Sequence, residues 1–350
     1  GFSKTSSTGA RVAAMARALS RRVEQFARRT ATAVRLEDLF TWGQGDVQMR
    51  LKFASFLHQE IAIRNAQLCK ELRLLPFGIA ETQGVNAIVD SYSSYVETLA
   101  EAPRPVSEQD DVQFTALLSG ILEDNMQVVH TIAGSVREVR EALGDEEYEA
   151  IRAEVDVILD RFFIKRIGLR FLIQHYVESA AARPGISGII HSNVSVGRIL
   201  RALAQEAKDL CREKYGTTPE VIVSGVDGNE DNRNFLQGSS FSSMQTQGSR
   251  QFTYVKDHLQ FSTSVLLQHA CFATAQHQEE GRAGSMPPVK VNYAYGEEEV
   301  TIKVSDEGGG IPRSQEVYAW SYFAFPIQDG EERPRSWRHG EALGAGNPYG

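Results

Sequence analysis

Residues Asp306-Glu-Gly-Gly-Gly-Ile-Pro312, with the two segments before them, decide the fold of the chain. A helix-like run extends from Asp257 to Ala275, and the alternating apolar residues of 289–295 and 299–304 predict a strand pair. Three successive glycines can take φ > 0 and let the backbone come close to a ligand. The Asp306 carboxylate can accept a hydrogen bond from an exocyclic amine. The alternative for the glycine stretch alone is an ordinary turn after a strand.

Length and composition bound the fold class. The chain has 350 residues, a net charge of −8 and 42% hydrophobic residues, which predicts a globular protein of about two domains. The mild negative charge argues against a general nucleic-acid binder, and we predict no nucleic-acid partner. No apolar run is long enough to cross a bilayer. The cysteines, Cys69, Cys211 and Cys271, lack metal-ligand spacing, so free thiols and no metal site are predicted.

Residues 1–35 differ from the rest of the chain because they carry eight basic residues and a single acidic residue, Glu24. Serine and threonine are frequent there, and this composition is typical of a mitochondrial targeting segment. The alternative is an extra basic helix of the mature fold, because helical spacing is kept by Val12, Met15, Leu19, Val23 and Phe26. The two interpretations are compatible if the helix is retained after import.

Residues 36–182 are predicted to form an antiparallel helical bundle, because short connections separate four long amphipathic helices. Apolar residues recur at steps of three and four over the ranges 36–75, 85–99, 113–143 and 147–176. His130 and His175 lie on the third and fourth of these helices. We interpret His130 as a bundle or surface residue and His175 as a helix-end histidine that is favourable with the helix dipole, with a phosphotransfer role for His175 as the alternative.

A second domain is predicted for residues 186–350, after a boundary in the run Ala180 to Gly185. It should contain a helix at 196–215 and strands at 188–191, 220–224 and 252–255. Residues 227–250 are polar and without periodicity, which predicts a long surface loop. The predicted fold class is therefore a two-domain α/β protein, with a helical bundle followed by the domain that carries the glycine stretch.

Matching stretches spread over both predicted domains make the chain resemble a known family. From about Arg35 onward it resembles the mitochondrial 2-oxoacid dehydrogenase kinases, which act on the branched-chain and pyruvate dehydrogenase complexes and belong to the GHKL ATPase superfamily. The matching stretches are Phe56–Arg64, Leu74–Phe77, Ile121–Asp124, Lys165–Arg170, Leu210–Tyr215, Phe252–Leu259 and Asp306–Pro312.

The resemblance implies a GHKL-type α/β sandwich that holds ATP, with Asp306, Gly308 and Gly310 as nucleotide-binding residues. It implies a location in the mitochondrial matrix and phosphorylation of a serine on the decarboxylase component of the complex. It also implies docking on lipoyl domains of the acyltransferase core and assembly into homodimers.

The chain departs from the family where catalysis takes place. The family carries a Glu and, four residues later, an Asn on the helix before the hairpin. Here Val265 occupies the general-base position, His269 the magnesium-ligand position and Phe272 a basic position near the phosphates. Valine cannot accept a proton, and imidazole is a poor substitute for the hard oxygen ligands that magnesium prefers. The pattern keeps ATP as a candidate ligand but gives magnesium no suitable protein ligand.

These three departures favour a catalytically inactive pseudokinase that acts as a structural or regulatory subunit of a mitochondrial assembly. The alternative is an active protein serine kinase whose base is Glu279, Glu280 or Glu307, although each of these is also typical of ordinary solvated charge. A nucleotide-sensing module that binds ATP without hydrolysis is a third interpretation, and it depends on Asp306.

The sandwich is predicted to be incomplete at its C-terminal side. Residues Gly344 to Gly350 resemble a frayed form of the family's second glycine box, and Phe323 to Pro326 stand where the family has a Ser-Thr pair. The strands that would complete the sandwich are missing. Either the sequence is truncated or a partner covers an apolar sheet face that would otherwise promote aggregation.

Overall fold

The computed structural model describes residues 18–124, 126–181, 183–225, 252–279, 285–296, 299–314 and 316–322. These residues form a helical unit, made of residues up to 181 and 316–322, and an α/β unit within 183–314. They are mostly helical and carry two small sheets, which confirms the predicted α/β class in its coarse form. None of their helices is long and apolar enough to cross a membrane. Predictions that lie outside these residues concern the loop 227–250 and the stretches 323–326 and 344–350.

The described part of the helical unit contains α1 Arg21–Ala27, α2 Leu36–Gly43, α3 Val47–Arg73, α4 Gln83–Glu101, α5 Glu108–Asp124, α6 Val128–Leu143 and α7 Asp145–Glu178. The Asp46 side chain caps α3 by accepting a hydrogen bond from the backbone N–H of Met49 (2.9 Å). α3 packs against α4, α5 and α7. Its side chains Leu57, Ile61 and Leu68 are fully buried, as the three- and four-residue spacing predicts.

The structure corrects the prediction of a single helix over 113–143. α5 ends at Asp124, the N–H of Met126 bonds to the carbonyl of Glu123, and α6 starts at Val128. Apolar residues continue at helical spacing on both sides of this turn, so periodicity alone could not locate the break. Asp124 ends α5, and aspartate side chains compete for backbone hydrogen bonds and favour helix ends.

Residues 18–35 are packed on the helical unit. Val23 on α1 is fully buried, and α1 lies against α3. Farther along, the Glu60 carboxylate on α3 accepts a hydrogen bond from the N–H of Thr32 (2.8 Å). This part of the basic segment is therefore a structural helix with an anchored extension, as the second interpretation of that segment predicts. A targeting role for the segment stays a prediction, and residues 1–17 lie outside the described part of the chain.

Arg50 connects three helices of the helical unit. Its Nε donates to Asp111 Oδ2 on α5 (2.7 Å), and its Nη2 donates to the Thr115 hydroxyl (3.0 Å). Its Nη1 donates to the Tyr176 carbonyl (3.2 Å) and to the Ser179 hydroxyl (3.0 Å) at the end of α7. Because the Arg50 and Asp111 side chains are only 18% and 15% exposed, water screens this ion pair weakly.

The α/β unit contains, in its described residues, β1 Ile186–Ser187, β2 Ile190–His191, α8 Val196–Tyr215, β3 Val221–Gly225, β4 Tyr254–Val255, α9 Lys256–Glu279, β5 Val289–Tyr295 and β6 Val300–Ser305. In the first sheet, β2 pairs antiparallel with β1 and β4. In the second sheet, β5 is central, parallel to β3 and antiparallel to β6. One face of this second sheet buries Val289 and Val291 in a core shared with Leu200 of α8 and Leu267 of α9.

The outward face of the second sheet is mostly polar. Lys290 and Asn292 on β5 and Thr301 and Lys303 on β6 are exposed, and they alternate with inward-facing residues. Ile222 on β3 is an exposed apolar exception. The expectation of an apolar sheet face that needs a cover is therefore wrong for these three strands. Because side chains alternate between the two faces of a strand, the polar residues point outward and the apolar residues pack against α8 and α9.

Candidate functional site

The glycine turn, residues 306–310, follows directly from strand β6. Asp306 Oδ1 accepts a hydrogen bond from the N–H of Gly308 (2.9 Å), which closes the turn. Gly309 and Gly310 have φ values of +89° and +72°, a region that residues with a Cβ rarely adopt. Asp306 is exposed, so its carboxylate can accept a further hydrogen bond from a ligand. The turn therefore places the Asp306 carboxylate, a hydrogen-bond acceptor, next to three glycines that have no side chains.

Gly308 lies in direct contact with α9. A Cβ atom at position 308 would lie 2.5 Å from the Cβ of Ala273 and 2.8 Å from its carbonyl carbon. A Cβ at position 309 would lie 2.9 Å from Nδ1 of His277. The helix backbone cannot move aside as a flexible side chain can, because it is fixed by its own hydrogen bonds and by the core. The turn is therefore held against one side of α9, and only glycine fits at position 308.

Val265, His269 and Phe272 lie on one stripe of α9, because they are spaced by four and then three residues. Leu267, on another side of the helix, is fully buried in the core, and Phe272 packs against the edge of the same core. Val265 and Phe272 are half-buried, and His269 is exposed. Residues 258–278 include no Asp or Glu, so the stripe has no carboxylate from its own helix.

The ring of Phe272 contacts residues of α8. Its centre lies 5.4 Å from that of the Tyr215 ring in an edge-to-face arrangement, and Lys214 Nζ lies 4.8 Å from the Phe272 ring centre. The resemblance leads us to expect a basic residue at position 272. The cation beside this position is instead Lys214, which belongs to α8. Sequence reasoning missed Lys214, and no periodic signal joins it to Phe272.

The three glutamates that could replace the lost base are not brought to the stripe by any described contact. Glu307 is exposed in the glycine turn. Glu279 ends α9, fourteen residues or about 21 Å along the helix axis from Val265. Its side chain and Glu280 lie outside the described residues.

His175 is a buried residue of α7, not an accessible helix-end histidine. Its Nε2 donates a hydrogen bond to the Leu39 carbonyl of α2 (2.9 Å), and its Nδ1 has no partner among the described atoms. Burial lowers the pKa of His175 to about 4, and the Leu39 hydrogen bond offsets only part of this effect. The imidazole is therefore neutral at physiological pH. The expected favourable contact of a charged His175 with the helix dipole is wrong.

Acid should destabilise the protein through His175. Its folded-state pKa of about 4 lies below the ordinary value of 6.5, so its contribution is complete above pH 6.5 and is lost as pH falls towards 4. The expected loss is about 3 kcal/mol in the free energy of unfolding. Chemical denaturation of His175→Gln between pH 7.5 and 4 should show a shallower pH dependence than the wild type. His130→Gln, at an exposed position, is the control and should follow the wild type.

Comparisons with known proteins support the family resemblance that the matching stretches of the sequence indicate. The family model for mitochondrial branched-chain alpha-ketoacid dehydrogenase kinase matches residues 33–191. A mitochondrial pyruvate dehydrogenase (acetyl-transferring) kinase of Arabidopsis thaliana is 29% identical over 286 residues, 81% of this chain and 71% of that protein. Isozyme 4 of this mitochondrial kinase is 27% identical in Mus musculus over 314 residues, 87% of this chain and 71% of that protein. The Homo sapiens isozyme 4 is 26% identical over the same length, 87% of this chain and 72% of that protein. These similarities support the resemblance of the chain to the mitochondrial 2-oxoacid dehydrogenase kinase family.

Proposed function

We propose that this protein is a pseudokinase, which binds ATP but does not transfer its phosphoryl group to a protein. The observation that carries the proposal is the stripe formed by Val265, His269 and Phe272. Phosphoryl transfer requires a group that orients the attacking hydroxyl, and it requires metal or positive charge to stabilise the spread-out negative charge. The isopropyl and phenyl groups of the stripe supply neither, and the imidazole is a poor ligand for magnesium.

The α/β unit fits ATP through the glycine turn. In a GHKL-type sandwich, which we propose for this unit, Asp306 would accept a hydrogen bond from the adenine amine. Gly308 and Gly310 would keep the turn free of side chains next to the nucleotide. The observation that supports this fit is the contact of Gly308 with Ala273, which leaves no room for a side chain. The stripe offers magnesium no oxygen ligand, so we assign the metal no role.

We infer that the protein works in the mitochondrial matrix as a structural or regulatory subunit, and that it forms a homodimer. The similar kinases from plants and mammals are named as mitochondrial. A lipoyl domain is the partner that we propose for the helical unit. An open groove of about 500 Å³ supports it, because a lipoyl-lysine arm is long and largely apolar, and the groove is lined by Phe40, Thr41, Gln44, Gly45, Asp46 and Met49.

A phosphorylation assay tests the proposed loss of catalysis. The purified chain is incubated with radiolabelled ATP, magnesium and the decarboxylase components of the pyruvate and branched-chain complexes. The wild type should transfer no label above the enzyme-free background. The double variant Val265→Glu/His269→Asn should gain measurable activity, because a general base contributes about 10²–10⁴ in rate.

The matched control is Leu266→Glu, which adds a carboxylate at a neighbouring exposed position of α9 outside the stripe. It should stay inactive. Magnesium-dependent labelling by the wild type, with no gain in the double variant, would contradict the proposal and establish the alternative, an active kinase with rearranged catalytic residues.

A further inference from the structure

The helical unit carries a basic surface where residues 28–32, helix α3 and helix α7 lie side by side. The Gln67 side-chain amide of α3 donates a hydrogen bond to the Arg29 carbonyl (2.7 Å). One turn further along α3, the Glu71 carboxylate pairs with Lys165 of α7. Lys70 follows Gln67 by three residues, so it lies on the same side of the helix. We call this surface the basic face, and its cations are Arg28, Arg29, Arg64, Lys70, Arg161 and Lys165.

Positive charge dominates the solvent side of the basic face. Glu60 and Glu71 of α3 are buried beneath it, and each pairs with one of its cations. The Arg28 and Arg161 side chains are 80% and 52% exposed. Glu24, which lies 3.9 Å from Arg28, is an exposed acid at the edge of the face. A chain with a net charge of −8 therefore turns a local excess of cations towards the solvent, and such an excess attracts anionic surfaces.

Large apolar side chains are exposed beside these cations. Leu74, one turn after Lys70, is exposed at the end of α3, and Ile164 is exposed next to Lys165 on α7. Phe77, in the turn after α3, is 57% exposed. Its φ of +55° lies in the left-handed region, where a bulky residue is an outlier. Backbone strain of this kind clusters at ligand sites, and here it holds an aromatic ring in the solvent.

We propose that the basic face binds an anionic membrane surface. Its cations bind the lipid phosphates, and Phe77, Leu74 and Ile164 enter the boundary between headgroups and acyl chains. Clusters of lysine and arginine attract anionic lipids, and neighbouring apolar side chains add to the binding by their burial. An acidic protein has the same charge, but a protein interface gathers its apolar residues in a core from which charged residues are depleted. On the basic face the apolar side chains are scattered among the cations, and a fluid lipid surface accepts this arrangement.

Vesicle flotation tests this inference on the full chain. Vesicles of phosphatidylcholine are compared with vesicles of equal parts phosphatidylcholine and phosphatidylglycerol. The wild type should float with the anionic vesicles only, and high salt should release it because salt screens exposed charges. Arg28→Gln/Lys70→Gln should lower the partition coefficient about tenfold, since both cations lie at the lipid surface. Lys290→Gln/Lys303→Gln is the control, because it removes two exposed cations from the second sheet, and it should float like the wild type.

Phe77→Gly tests the apolar part of the basic face without a risk to folding. Glycine adopts the left-handed backbone of this position without strain, so the variant should unfold at the same or a higher temperature than the wild type. It should nevertheless float less with the anionic vesicles, because the ring that enters the lipid is gone. Equal flotation of Phe77→Gly and the wild type would overturn the assigned role of Phe77 in the lipid.

The remaining outcomes decide the partner, and none of them involves ATP. Flotation that is lost in Arg28→Gln/Lys70→Gln and kept in the control establishes the basic face as the lipid site. Equal loss in both double variants would overturn it, because the attraction would then belong to the charge of the whole chain. A wild type that fails to float with anionic vesicles, but is retained on immobilised polyglutamate, would overturn the lipid surface in favour of an acidic protein.

Discussion

Arg50→Ala should lower the free energy of unfolding by about 3 kcal/mol, because it breaks a weakly hydrated ion pair and leaves Asp111 without its cation. The same change removes the donors for the Thr115 hydroxyl and for the carbonyl and hydroxyl at the end of α7. The effect is large because one side chain joins α3, α5 and α7. Urea denaturation monitored by circular dichroism measures it.

Two further variants make the Arg50 measurement specific. Arg50→Lys keeps the charge but loses the planar fork of donors, so it should retain only part of the stability. Arg35→Ala removes a guanidinium that pairs with Asp38 at the surface, where it is 75% exposed, and should leave the free energy of unfolding nearly unchanged. A loss below about 1 kcal/mol in Arg50→Ala would show that the network is optional.

Gly308→Val should weaken ATP binding strongly, with a Kd for ATP raised by up to about 100-fold. The added side chain cannot share space with Ala273, so the turn has to move away from α9, and overpacking of this kind typically costs about 1–3 kcal/mol. A displaced turn carries Asp306 with it. Calorimetry with ATP and thermal unfolding of the same samples separate lost binding from lost folding.

Gly310→Ala and Gly120→Ala are the comparison variants for Gly308→Val. An added Cβ at either position meets no atom within 4 Å. Gly310 has φ of +72°, so alanine there tests backbone strain without a collision and should cost about 1 kcal/mol. Gly120 lies in α5, and alanine there should leave ATP binding intact. Normal ATP affinity in Gly308→Val would mean that the turn does not hold the nucleotide.

Local pattern predicted much of the α/β unit. The helix predicted over 196–215 has those bounds in the structure, and Gly216, in the left-handed region, ends it. The predicted helix 257–275 lies within α9, and the hairpin and glycine turn follow in the expected order. These elements carry their start and stop signals in neighbouring residues, so a single sequence suffices to find them.

Contacts between distant residues could not be predicted in this way. Ser321 bonds to Asp156 across more than 160 positions, and the Arg50 network joins residues from three helices. Cys211 and Cys271 look unrelated along the chain, yet the Cys211 thiol lies 3.5 Å from the Cys271 carbonyl in the core. The sequence also could not explain why glycine is required at position 308, because the requirement comes from the contact with Ala273 of α9.

Helix α9 has three functionally different sides: one packs in the core, one contacts the glycine turn, and one carries the stripe. A helix advances about 100° per residue, so one inserted residue between Val265 and Phe272 would turn the following residues out of register. Phe272 would then take the place of Ala273 and strike Gly308. The number of residues between Val265 and Phe272 is therefore fixed by the packing of α9, whereas an exposed position of the stripe, such as His269, can be substituted. A side chain of a different chemistry can therefore be introduced on the stripe by substitution, but not by insertion or deletion within α9.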